Sequence, residues 1–243
     1  MWPKITKNYS PNFSLPKRAK KKIQFIIIHY TGMKKEISAI KKLCDHKSKV
    51  SAHYFIKKNG EIINLVPDLY EAWHAGKSNW KRYNSLNKNS IGIEIQNQGH
   101  QFRYEKFSSK QINSLIKLIK KLVKLYKINR NNILGHSDIA PERKKDPGEK
   151  FPWKYLGKNK LVKWHNLNDK SLKKLRLKKL TKLEEKQFLN NIYSIGYNRI
   201  KNSRISQSNK ILFQSFQRRF RQNLINGKSD KECLIISKNL VKY

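Results

Sequence analysis

Apolar residues follow two rhythms along this chain. IQFIIIHY (23–30) is a continuous, β-branched apolar run, the pattern of a strand covered on both faces. SIGIEIQ (90–96) alternates instead: Ile91, Ile93 and Ile95 share an apolar face, and the other carries Gly92, Glu94 and Gln96. AHYFIKKNGEIINLV (52–66) sets Asn59-Gly60 between two apolar-rich arms, which predicts a β-hairpin. NNILGH (131–136) predicts a further short strand. The helical rhythm appears in EISAIKKLCD (36–45), with Ile37, Ile40 and Leu43 on one side. It is clearest in SSKQINSLIKLIKKLVKLYKI (108–128). There Ser108 or Ser109 can cap the helix, and Ile112, Leu115, Ile116, Ile119, Leu122, Val123 and Tyr126 form a buried stripe.

Strands interleaved with helices in this order predict an α/β fold, a mixed central β-sheet flanked by helices, over residues 1–156. A lysine-rich stretch, 157–182, reads as a basic linker or a loosely packed helix. Residues 183–243 return to helical spacing in LEEKQFLNNIYSIGY, ILFQSFQRRFRQNL and DKECLIISKNLVK, with Gly196 and Gly227 near turns. They predict a small C-terminal helical bundle.

The segment LGHSDIAPERKKDPG (134–148) fits neither rhythm. Pro141 and Pro147 are placed where a helix does not tolerate them, so an irregular loop is expected. Such loops on rigid scaffolds are where binding and catalytic side chains concentrate. His136 stands at its entrance and Asp146 near its end, while His29 closes the first apolar run. Strand C-terminal ends are the habitual ligand edge of open α/β sheets. Two imidazoles and a carboxylate suffice for a catalytic zinc that keeps one position for water. Taken singly, a strand-end histidine is more often a satisfied core residue, and Asp146 before Pro147-Gly148 can simply begin a turn.

Net charge is +39, from 55 Lys and Arg against 16 Asp and Glu. A nucleic-acid partner is not expected, because both halves are basic: 32 basic and 11 acidic residues through Trp153, 23 and 5 after it. Lysine outnumbers arginine four to one, as A/T-rich codons would produce without any polyanionic partner. Two distant cysteines, Cys44 and Cys233, match no metal or disulfide spacing. No apolar run reaches membrane-spanning length and no signal peptide is apparent, so a cytoplasmic protein is expected, with the periplasm as the alternative. A monomer is expected. His46, His100 and His165 match no motif and read as surface residues, and Cys44 as core.

IIIHYTG (26–32), VSAHYFIKKNGEIINLV (50–66), AWHAG (72–76), NSIGIEIQN (89–97) and GHSDIAPERKKDPGEKFPW (135–153) occur in this order. Together they resemble the zinc-dependent N-acetylmuramoyl-L-alanine amidases of the amidase-2 family, in its AmpD- and AmiD-like branch. Asp146 stands where the T7-lysozyme branch carries a cysteine ligand, and Ala52 where that branch has its catalytic tyrosine. The resemblance implies zinc held by His29, His136 and Asp146, with Glu94 as the general base. It further implies that Lys144 stabilises the oxyanion during hydrolysis of the bond between N-acetylmuramic acid and L-alanine. Trp73, His74, Asn89 and Arg143 are then candidates to bind peptidoglycan or muropeptide fragments, and His53 a pocket or supporting residue. ILFQSFQRRFRQNLINGKSDKE (211–232) is similar to the peptidoglycan-binding helical module that follows such domains, although a bundle that merely packs on the amidase would look the same. Two other readings remain at this stage, a peptidoglycan-recognition protein that binds without cutting and a basic nucleic-acid binder. The first would ordinarily lack a ligand, and the second would carry a recognition motif.

Overall fold

The computed structural model describes residues 3–200 and 204–242; residues 1–2, 201–203 and 243, which belong to the two expected globular ranges, lie outside it. Its strands are β1 (Ile5–Lys7), β2 (Phe13–Ser14), β3 (Phe25–Tyr30), β4 (Tyr54–Ile56), β5 (Ile62–Asn64), β6 (Glu71–Ala72), β7 (Asn79–Trp80), β8 (Tyr83–Asn84), β9 (Ser90–Ile95) and β10 (Ile133–Gly135). Six of them form one sheet in the order β1-β5-β4-β9-β3-β10. The expected hairpin is present as the antiparallel pair β4–β5, and the other neighbours in the sheet run parallel. Parallel pairing of β4, β9, β3 and β10 brings the C-terminal ends of these strands to one edge. His29, Glu94 and the chain entering His136 therefore meet there.

The period of two decides what covers each face. Ile26, Ile28, Ile91, Ile93 and Ile95 pack under α2 (Ser109–Tyr126), through Ile112, Leu115, Leu118, Ile119 and Leu122. Ser108 caps α2 with its side chain on the Gln111 N–H, and Gln111 reciprocates at the Ser108 N–H. Phe25, Ile27 and Leu134 point the opposite way. They join Phe188, Ile192, Leu212, Phe213 and Phe216 of α6 (Lys182–Ile195) and α7 (Ile205–Phe220) in a second core. α8 (Lys231–Lys242) packs along α6. A third cluster, Ala39 and Leu43 of α1 (Glu36–Cys44) on Phe55, Ile63 and Leu65, covers the rest of that side.

Two expectations need correction. The loop after β10 begins as one helical turn, α3 (His136–Ile139), which ends just before Pro141; the proline forbids extension but not a single turn upstream of it. His165 is buried rather than on the surface, stacked against Trp164. Around it, α4 (Trp153–Lys158), α5 (Asp169–Lys173) and their connection sink Val162 and Leu172 into the two main cores. Among the described residues no helix is long and apolar enough to cross a membrane.

Candidate metal centre

Odd-numbered positions of β3 and even-numbered positions of β9 share the face opposite α2. His29 and Glu94 are register partners on it, side by side at the sheet edge. β10 ends at Gly135, so His136 opens α3 beside them, and the Ser137 N–H donates to the Asp146 carbonyl at 2.8 Å, pinning the end of the loop to its start. His29 Nδ1, His136 Nδ1 and Asp146 Oδ2 lie 2.9, 3.0 and 3.1 Å apart in a triangle. All three residues are buried.

The hydrogen-bond network shows what those three atoms are. The His136 Nε2 faces the Ala75 carbonyl at 3.1 Å, which can only accept, so Nε2 carries the proton and Nδ1 a lone pair. His29 is linked through His74 to Ser90. Ser90 Oγ spends its single proton on the Leu86 carbonyl at 2.6 Å, and so accepts from His74 Nε2 at 3.1 Å. His74 Nδ1 is then the acceptor for the His29 Nε2 proton, again at 3.1 Å, which leaves His29 Nδ1 a lone pair. Burial and the neighbouring His136 hold the His29 pKa down to about 4, and burial likewise holds His74 low, so both stay neutral near pH 7. Asp146, buried beside the two imidazoles, turns Oδ2 to the same point. The triangle thus presents three lone pairs to one point, with a proton on none of them.

Three acceptors at such separations repel unless a cation stands between them. Ligand bonds of about 2.0–2.1 Å place donors on one ion at roughly this spacing. The donor set is that of a site for a divalent transition ion, and the imidazoles are oriented by Ala75 O and His74 in the way metal-bound histidines usually are. The His74 ring can take its position because residue 92 has no side chain; a Cβ there would stand 2.3 Å from His74 Cγ.

The triad opens into a cleft of about 670 Å³. Glu94 lies in its wall, half-buried, with Oε2 shielded and without a hydrogen-bond partner. Burial, reinforced by Asp146, raises its carboxyl to about 8, near the neutral range where one group can both take and return a proton. Lys144 also lines the cleft, and its positive charge acts on both His29 and Glu94. Trp73 lines the rim, its Nε1 donating to Ser14 Oγ at 2.8 Å. Arg143 lies in the wall with Nε and Nη2 donating to the Ala75 and Lys77 carbonyls. Asn89 is not among the cleft residues; it precedes β9 at the opposite end from Glu94 and donates to the Lys22 carbonyl at 3.3 Å. His53 is buried within the sheet, where its Nδ1 accepts from the Gly92 N–H at 3.0 Å.

Sequence reasoning passed over several cleft residues. His100, expected at the surface, lines the cleft and meets Tyr30 Oη at 2.8 Å and Glu149 at 2.9 Å. Ile211, Gln214 and Arg218 reach the wall from α7. No spacing in the sequence signals them, since they lie far along the chain from every ligand.

Comparison with known proteins follows the same outline. The Amidase_2 family profile, described as N-acetylmuramoyl-L-alanine amidase, matches residues 19–149, more than half of the chain. The chain is 33% identical to the N-acetylmuramoyl-L-alanine amidase AmiD of Escherichia coli K12, over 91% of its own length and 83% of the relative's. It is 41% identical to the 1,6-anhydro-N-acetylmuramyl-L-alanine amidase AmpD of Haemophilus influenzae, over 46% of this chain and 59% of that one. Among solved structures, E. coli AmiD in complex with the substrate anhydro-N-acetylmuramic acid-L-Ala-D-gamma-Glu-L-Lys superposes with a TM-score of 0.80. That match has 32% identity and covers 94% of this chain and 92% of AmiD. AmpDh3 of Pseudomonas aeruginosa in complex with anhydromuramic pentapeptide gives 0.79, with 29% identity and 96% of each chain covered.

Proposed function

Given that the chain belongs to the Amidase_2 family and is an N-acetylmuramoyl-L-alanine amidase, we propose that zinc is its metal and anhydro-muropeptides are its substrate. The observation that carries this reading is the proton-free triangle of His29, His136 and Asp146 beside the unpartnered carboxyl of Glu94. Two histidines and one aspartate are a zinc set with room for a further ligand. The substrate follows from similarity to AmiD and AmpDh3, whose structures hold anhydromuramic peptides.

The amide between the lactyl group and L-alanine is unactivated, and an amine leaves badly unless protonated. When bound, zinc supplies Lewis acidity, polarising a carbonyl and lowering the pKa of water toward ~7. Glu94 takes the proton of the attacking water and hands it to the departing alanine nitrogen, so one carboxyl serves both halves of the reaction. Lys144 offers fixed positive charge to the oxygen that becomes anionic. His74 and Ala75 O keep the two imidazoles in the neutral tautomers described above.

The test is a digest. Anhydro-N-acetylmuramoyl tripeptide incubated with zinc-loaded protein is expected to yield free tripeptide and anhydro-sugar by mass spectrometry, and chelation is expected to stop the reaction. An intact substrate after prolonged incubation, or cleavage at another bond, would refute the reading.

A further inference from the structure

α7 presents Ile211, Gln214 and Arg218 to the cleft, three and then four residues apart along one face of the helix. Arg218 is only 7% exposed. Its Nε is shielded without a hydrogen-bond partner, and among the described residues no carboxylate forms an ion pair with it. The surrounding arginines are engaged. Arg219 binds Asp138 and the Ile133 carbonyl, Arg221 pairs with Asp230, and Arg143 donates to backbone carbonyls. Glu149, the acidic group acting most strongly on Arg218, is hydrogen-bonded to His100.

A guanidinium taken from water without a partner is costly, and burial pulls the Arg218 pKa down accordingly. An arriving anion would offset that cost. The stem peptide in the AmiD complex contains a γ-linked glutamate, which leaves an α-carboxylate free, and the peptide's end supplies a second. Both lie beyond the alanine whose amide is cut. They call for a cationic site in the cleft but apart from the three ligands, and Arg218 fulfils both conditions.

We propose that Arg218 receives a carboxylate of the stem peptide, so that helix α7 forms a wall of the substrate site. The proposal rests on the amidase reading above. A planar fork suits such a partner better than a lysine, because it can bind both carboxylate oxygens at once.

The experiment uses the zinc-loaded full chain and two substrates, the anhydro-N-acetylmuramoyl tripeptide and its twin with the stem carboxylates amidated. Wild-type kcat/KM is expected to fall roughly tenfold to a hundredfold on the amidated twin, chiefly through KM. Arg218→Gln is expected to show that same loss on the acidic tripeptide and little further loss on the amidated one. Arg218→Lys is expected to recover part of it. Equal wild-type cleavage of both twins overturns the proposal, with no variant required. It is also overturned if Arg218→Gln keeps the wild-type KM on the acidic tripeptide, or loses equally on both, the mark of a purely structural residue. A wild-type enzyme that cuts neither twin removes the amidase reading itself, and the proposal with it.

Discussion

Glu94 and His29 stand in register on adjacent strands and face the same cleft, yet the account gives them separable work. In the proposed mechanism His29 is a ligand and Glu94 moves protons. Glu94→Ala is therefore expected to retain one zinc per chain while kcat falls by about 10²–10⁴. His136→Ala is expected to lose both metal and turnover. Metal analysis of the purified variants alongside activity checks this, and zinc-dependent hydrolysis surviving in Glu94→Ala would contradict the assignment of the base. A subtler residue is His74, which accepts the His29 Nε2 proton. His74→Phe removes that acceptor and is expected to weaken zinc binding by about 10–100-fold in a competition titration. The meeting of His29, His136 and Asp146 was legible in the sequence because strand ends and the HSDIAPERKKDPG element mark them, whereas Glu94 was singled out only by the family resemblance. The supporting role of His74 was not legible. It depends on the space left by Gly92 and on a relay of protons through Ser90. Arg218 was hidden for another reason: among 55 basic residues, a single buried guanidinium has no distinguishing spacing.

At the scale of elements, the single turn α3 connects the ligand loop to the C-terminal helices. Asp138 accepts from the Gly135 N–H at 2.8 Å, from Tyr197 Oη at 2.7 Å and from Arg219 Nη1 at 2.5 Å. Ser215 Oγ adds a bond to the Ser137 carbonyl at 2.6 Å. Arg219 and Asp138 are both almost wholly shielded, so removing one partner leaves the other a buried, uncompensated charge. Arg219→Met is expected to cost about 3–5 kcal/mol in stability, measured by denaturant unfolding. A loss below 1 kcal/mol would show that the pair carries little. The strands β3, β9 and β10, the Asn59-Gly60 hairpin and the helices α2, α6, α7 and α8 could be read from their period, and the start of α2 also from its cap, because each buries a regular apolar face; β1, β2, β6, β7 and β8, two or three residues long, could not. The connection around Val162, His165 and Leu172 could not, since its few buried side chains are scattered among lysines with no period. Nor could the pairing of α3 with α7, which joins segments nearly 80 positions apart.

For the whole molecule, burial of neutral imidazoles makes stability depend on pH. Burial, with a smaller contribution from Lys154, holds His165 at about 4, against ~6.5 for a free imidazole. Below ~6.5 the unfolded chain binds a proton that the folded one refuses, so stability is full above that pH and declines as pH falls toward 4. The slope for one such group approaches ~1.4 kcal/mol per pH unit. His53 and His74, also held low by burial, act in the same direction. The melting temperature of metal-free protein is therefore expected to drop steadily between pH 6.5 and 4, and His165→Gln to flatten part of that drop. An unchanged profile in the variant would contradict the burial assigned to His165.

The proposed function rests on His29, His136 and Asp146 holding a cation between them. Equilibrium dialysis of the metal-stripped chain against zinc, with hydrolysis of anhydro-N-acetylmuramoyl tripeptide followed on the same samples, tests it directly. The account predicts saturation at one ion per chain with activity rising in proportion to occupancy, and neither in Asp146→Ala. Full activity in stripped protein, or undiminished binding and activity in Asp146→Ala, would contradict it.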